Sequence, residues 1–168
     1  DMYIANGFYR DTRNVDYRKY YEENYGDLKH LTNEQVQEIN SKIPRQKIIN
    51  YYYQNKGDLH FENKSSESGI TDPSFSNGAS YADLDNDGNL DLVVNNLTDK
   101  AFGYKNNSME SGDKNYLGVR LLGAGKNRNG IGAKVTVRNK GSVQIRQHII
   151  SRGYQSSVSN VLHFGLAG

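Results

Sequence analysis

The chain has 168 residues, with 21 Lys and Arg set against 19 Asp and Glu, no Cys, and 18 Tyr and Phe together. A net charge of +2 gives no electrostatic footing for nucleic acid or an anionic membrane, and zero Cys removes disulfides, thiol catalysis and cysteine-based metal sites. Aromatics at 11% are too many for a disordered chain, and no apolar run approaches the roughly 20 residues a membrane-spanning helix needs.

The opening Asp1-Met2-Tyr3-Ile4-Ala5-Asn6-Gly7 reads as the inside of a strand. Residues 1–7 are therefore expected to be the remnant of a preceding repeat, in a fragment of a longer protein. Residues 8–56 are polar and Tyr-rich, and read as a partly helical insertion. Thr32-Asn33-Glu34-Gln35 has the capping-box form, Val36 and Ile39 share a face with Ile43, and Pro44 ends the run. From Ile48 to Tyr53 the chain is apolar and aromatic without charge, which fits a buried strand or a helix end. The Tyr cluster at 17–25 and Tyr51-Tyr52-Tyr53 suit either a sugar-stacking or protein-contact surface or the packing of the insertion.

Residues 57–108 look like short strands separated by turns. His60-Phe61-Glu62-Asn63 follows a Lys-Gly-Asp turn, Gly78 to Tyr81 leads into an acidic loop, Leu90 to Val94 leaves it, and Ala101 to Asn106 is one more candidate strand. In 114–168, Leu117, Val119 and Leu121 alternate with polar or small residues, as do Ala133, Val135 and Val137, then Val143 and Ile145, then Leu162 and Phe164. Period two over four segments predicts a small antiparallel sheet with one buried face. There is also an internal echo: Asp1 to Asn6 matches Asp91 to Asn96, each an Asp, three mostly apolar residues and a later Asn.

The sharpest chemistry lies in Asp83-Leu84-Asp85-Asn86-Asp87-Gly88-Asn89-Leu90-Asp91. Acids occupy positions 1, 3, 5 and 9 around a Gly at position 6. Ca²⁺ takes about six to eight oxygens, and a tight loop turns alternate side chains inward to supply them. The expected ligands are Asp83, Asp85, Asp87, the main-chain carbonyl of Asn89, and Asp91. The alternative is a solvated Asp/Asn/Gly turn, in which four clustered carboxylates would repel one another. An EF-hand would need Glu at position 12, where this chain has Val94 in a strand-like run, so the loop joins two strands instead.

These residues carry a resemblance. Asn77-Gly78-Ala79-Ser80-Tyr81-Ala82, the loop, and Asp91 to Asn96 resemble an FG-GAP/VCBS-type repeat of calcium-binding β-propellers, with Gly57 to Phe61 and Ser68-Gly69-Ile70 similar to the strand and turn upstream. Asn127-Arg128-Asn129-Gly130-Ile131-Gly132-Ala133, Arg152-Gly153-Tyr154-Gln155-Ser156 and His163-Phe164-Gly165-Leu166 resemble the ASPIC/UnbV domain that often follows such propellers. The resemblance implies an extracellular, cell-surface or periplasmic protein of the bacterial envelope, no catalytic activity, and a C-terminal domain truncated here. The long insertion at 8–56 departs from the family pattern.

Other constellations are weaker. Gly123-Ala124-Gly125-Lys126 lacks the upstream Gly and the following Ser or Thr of a phosphate loop, and reads as a hairpin turn. Lys126, Arg128, Lys134, Arg138 and Lys140 make one stretch basic, which suits a solvated face and leaves an anionic polysaccharide or RNA as other partners. His30, His60, His148 and His163 have no short-range ligand spacing, and no Gly-x-Ser-x-Gly elbow occurs.

The expected fold is thus mainly β: partial β-propeller-like strands with a calcium loop, a partly helical insertion, and a small C-terminal antiparallel β domain. The segments are 1–7, 8–56, 57–108 and 114–168. The expected function is a noncatalytic calcium-binding adhesion or recognition module with a glycan or protein ligand, contacted by Arg128, Arg152 and Tyr154. The alternatives are an accessory region of a larger envelope enzyme and, third, an RNA-binding module.

Overall fold

The computed structural model describes residues 1–26, 30–108 and 115–166. The bounds 114 and 168 of the expected C-terminal domain lie outside these residues. The chain is mainly β, in the order β1 (Met2–Ile4), α1 (Val15–Tyr25), α2 (Asn33–Lys42), β2 (Tyr51–Gly57), β3 (His60–Asn63), β4 (Ser76–Ala82), β5 (Asp91–Asn96), β6 (Phe102–Tyr104), β7 (Asn115–Arg120), β8 (Lys134–Asn139), β9 (Ser142–Gln147) and β10 (Val161–Leu166). Four small sheets result: β1-β2-β3, β4-β5-β6, the pair β7-β10 and the pair β8-β9. They fall into two compact units, Asp1–Ser76 with Asn96–Asp99, and Asn77–Asn95 with Lys100–Gly168.

In the first unit, α2 forms where its cap requires. Thr32 Oγ1 accepts from Gln35 N while Gln35 Oε1 accepts from Thr32 N, so both halves of the capping box are made. Ile39 and Ile43 are buried, but Val36 stands 40% exposed and does not share their burial. α1 is a second helix that apolar periodicity does not announce. Asn14 caps it by accepting from Tyr17 N, and Tyr25 is its only buried residue. The segment at 48–53 resolves as strand: Ile48 bridges to Ser74, and β2 pairs antiparallel with both β1 and β3. The β2–β3 hairpin turns at Asp58 and Leu59, both in the left-handed region, as a two-residue hairpin turn of right-handed sheet twist demands.

The interior of this unit is polar as much as apolar. Phe75 and Ile70 are buried, and Tyr9 meets the Phe75 ring edge-on at 5.1 Å. Beside them Asn50, Ser74 and Ser76 are fully buried. Asn50 Nδ2 donates to Ser76 Oγ at 2.7 Å, Ser76 Oγ donates to Asn96 Oδ1 at 2.6 Å, and the Ser74 and Ser76 hydroxyls lie 2.6 Å apart. Asn6 N closes the network by donating to Asn50 Oδ1.

The echo between Asp1–Asn6 and Asp91–Asn96 has a geometric counterpart. In β1–β2, Met2 faces Tyr53 and Ile4 faces Tyr51; in β5–β6, Leu92 faces Tyr104 and Val94 faces Phe102. In both pairs the Asp preceding the first partnered residue accepts from a backbone N–H two residues beyond that residue's partner. Asp1 Oδ1 takes Asn55 N and Asp91 Oδ1 takes Asn106 N, each at 2.9 Å. β5 is central in its sheet and buries Val94 completely, whereas β1 is an edge strand and leaves Met2 and Ile4 exposed.

In the second unit the four alternating segments form two ribbons, not one sheet with one buried face. β7 pairs with β10 over six residues, and β8 with β9 through a Lys140-Gly141 turn with both residues at positive φ. Alternation assigns faces to a strand but says nothing about its neighbour. Phe164 is fully buried, while Val143 and Ile145 are exposed on β9.

Ser76→Ala should destabilise the first unit by about 1–3 kcal/mol, because Asn50 Nδ2 loses its buried acceptor. Chemical denaturation followed by the tyrosine signal measures this, and a change within experimental error would show that the network carries no stability.

Candidate metal centre

The loop between β4 and β5 is shaped by its own carboxylates. Asp85 Oδ1 accepts from Asp87 N, Asp87 Oδ1 from Asn89 N at 2.8 Å, and Asp83 Oδ2 from Gly88 N at 3.1 Å. Such side-chain-to-backbone bonds two to five residues on let an Asp/Asn-rich segment turn without a ladder partner. Asn86 and Gly88 take positive φ, 61° and 91°, which Asn tolerates and Gly adopts at no steric cost.

The turn gathers Asp83, Asp85 and Asp87 so that one oxygen from each lies within 4.8 Å of the others. Of these, Asp83 is half-buried, and its Oδ1 has no hydrogen-bond partner among the described residues. A buried carboxylate oxygen without a donor costs free energy unless a cation supplies the missing charge. Lys105 pairs with two of the three: its Nζ lies 2.7 Å from Asp85 Oδ2 and 3.6 Å from Asp87 Oδ2. The ammonium holds the Asp85 carboxyl below its usual range, and its own pKa is raised by Asp85. The donor set is hard oxygen throughout and fits Ca²⁺.

The structure does not bring Asp91 into this group of three. Its carboxylate is 4% exposed and works as a tie, accepting from Leu84 N at 3.2 Å and from Asn106 N. Asn89 is also buried, with its side-chain Oδ1 accepting from Ser108 Oγ. Arg152 and Tyr154 lie in one turn, closed by Arg152 N donating to Ser156 O; Tyr154 is 64% exposed. Arg128 sits in a separate turn, where its carbonyl accepts from Gly123 N, and no ring contact or hydrogen bond joins it to the other two.

Sequence reading missed Tyr116, which lies over the loop. A Cβ on Gly88 would run into the Tyr116 ring, so the sixth loop position must be Gly for space as well as for φ. The other side of the Tyr116 environment is His163, stacked at 5.2 Å with 8° between planes. Burial pushes the His163 imidazole below its ordinary value, against the opposing charge of Asp83 and with help from Arg146. Only the Gly hinted at this packing from sequence.

Residues 42–94 match the family model of an FG-GAP-like repeat, and residues 123–168 match that of ASPIC and UnbV. The chain therefore carries an FG-GAP-like repeat followed by an ASPIC/UnbV domain. The repeat makes its strands propeller-like, and the two families together point to a β-rich module of the cell surface or exterior. No helix among the described residues is long and apolar enough to cross a membrane. No curated protein and no solved structure matches the chain significantly.

Gly88→Ala should cost roughly 1–3 kcal/mol through backbone strain and displacement of Tyr116. The His163 ring protons should lose the upfield shift that a stacked tyrosine imposes. Retention of that shift in a folded variant would show that Tyr116 does not depend on Gly88.

Proposed function

We propose that the chain is a noncatalytic, extracellular calcium-binding recognition module whose ligand is a glycan or a protein. The observation that carries the metal half is the buried, donorless Oδ1 of Asp83, on a carboxylate that has one oxygen within 4.8 Å of one oxygen each of Asp85 and Asp87. Asp83, Asp85 and Asp87 would hold Ca²⁺, with the Asn89 carbonyl and Asp91 completing the shell. When bound, the ion supplies charge that neutralises the loop and fixes the spacing of β4 and β5.

The protein's own residues prepare that site. Asp91 ties the loop entrance at Leu84 to the backbone just beyond β6 at Asn106, so the strand ends are set before any ion arrives. Lys105 offsets part of the negative charge meanwhile, and must yield Asp85 and Asp87 to a metal. The recognition half rests on the two families and on the rigid presentation of Arg152 and Tyr154 in a short closed turn, since loops on a β scaffold are where binding residues concentrate.

Calorimetry should find Ca²⁺ binding on the order of 10⁻⁴–10⁻³ M, the range of extracellular oxygen-ligand loops. The Asp85→Ala, Asp87→Ala double variant should abolish it; binding equal to the parent's would refute the assignment. Lys105→Met should bind Ca²⁺ more tightly than the parent, because no ammonium competes for two of the ligands. Weaker binding by that variant would mean that Lys105 supports the metal-loaded loop.

A further inference from the structure

His148 has no role in the metal loop, yet its side chain is buried with neither ring nitrogen satisfied among the described residues. It is 2% exposed, and neither Nδ1 nor Nε2 has a hydrogen-bond partner among the described residues. Its position is not loose. His148 N donates to Ala133 O and Gly132 N donates to His148 O, each at 2.8 Å, which pins the residue just beyond β9. An imidazole offers a donor and an acceptor when neutral, and leaving both unmade in a buried place is costly.

The ring borders a cavity of about 40 Å³ whose polar lining includes Tyr81, Arg146, Gln147, Arg152, Ser159 and His163. That volume admits one small polar group and little more. No acid lines it. Neither Arg146 nor Arg152 pairs with a carboxylate among the described residues, although the Arg146 guanidinium also lies 5.8 Å from the Phe164 ring centre. Asp83 is the carboxylate whose charge reaches this region, through His163. The wall carrying Arg152 is held in place. Ser80 Oγ of β4 donates to Ser157 O at 2.5 Å, and the turn packs so closely on Gly78 that a Cβ there would lie 2.7 Å from Ser156 Oγ and 3.2 Å from Tyr154 O.

We propose that this cavity is an anion subsite that receives the carboxylate of a uronate-containing glycan, with Arg152 and Arg146 facing its charge and the His148 ring donating to it. This rests on the recognition reading above and adds the chemical class of ligand. A planar carboxylate matches the guanidinium fork, and its small head suits the cavity. A sugar rather than a peptide is favoured by Tyr154, which presents an exposed ring two residues from Arg152 in the same turn, a flat face for a pyranose.

The test is titration of the chain with trigalacturonate, its methyl ester, neutral galactan oligomers and an oligoglutamate peptide, with Ca²⁺ chelated, alongside ¹⁵N spectra of the histidine rings. Trigalacturonate should bind and shift the His148 ring nitrogens, and the methyl ester should bind about tenfold more weakly or worse, the loss expected of one charge-assisted pair. Arg152→Ala, an exposed position that should fold normally, should lose a similar factor, while Arg138→Ala on β8 should bind like the parent. Unmoved His148 resonances, no trigalacturonate binding, or equal losses in both arginine variants would overturn the subsite. Ester and neutral oligomers bound as tightly as the acid would also overturn it while leaving glycan recognition standing. Tighter binding of oligoglutamate would assign the cavity to an acidic protein instead. Cleavage of any oligomer by the chain would remove the noncatalytic reading itself.

Discussion

A single buried carboxylate organises the sheet that carries the acidic loop. Asp91 stands at the first position of β5, 4% exposed, and gives one oxygen to the backbone of the loop and the other to the backbone beyond β6. Charge-assisted bonds to backbone N–H groups are stronger than neutral ones, and here they satisfy two donors that the ladder cannot reach. Asp1 makes the same bond to Asn55 in the first unit, at the same offset from the strand register. Its second oxygen takes the Tyr52 hydroxyl at 3.1 Å, where the loop backbone serves Asp91. The strand-entry aspartate is thus a structural residue first, and the ligand role expected of Asp91 has to be shared with it.

Polar interiors follow from the composition. With 35% hydrophobic residues spread over two units, neither can rely on a large apolar core. The first unit answers with a closed network of Asn6, Asn50, Ser74, Ser76 and Asn96, in which one polar side chain answers another. Fully satisfied networks hold a unique arrangement, whereas partly satisfied ones mark places where something further is expected to bind. Asp83 Oδ1 and the His148 ring are of the second kind, and both lie in the second unit.

What was legible in the sequence was whatever local chemistry dictates. The capping box fixed the start of α2 because Thr32 and Gln35 satisfy each other within four residues. The acidic loop was readable because Asp spacing and Gly88 leave few other conformations. α1 was not, since its Tyr-rich sequence buries only Tyr25 and shows no apolar stripe. The pairing of β7 with β10 and of β8 with β9 was hidden, because four equivalent alternating strands can be matched in several ways. His148 was invisible as a site. Its isolation depends on the absence of partners in space, which no spacing along the chain can express.

The two unsatisfied places are linked by contact. Tyr116 of β7 covers Gly88 of the loop and stacks on His163 of β10, and His163 forms part of the cavity wall that Arg146, His148 and Arg152 complete. Asp83, the loop's half-buried acid, also acts electrostatically on His163. An ion at Asp83 would neutralise that charge and leave the arginines as the dominant field in the cavity, since their charge does not titrate. Loop and cavity therefore share one aromatic wall and one electrostatic environment. A β-rich module with so small an apolar core gains from this economy, because the contacts that order the acidic loop also hold one side of the arginine cavity in shape.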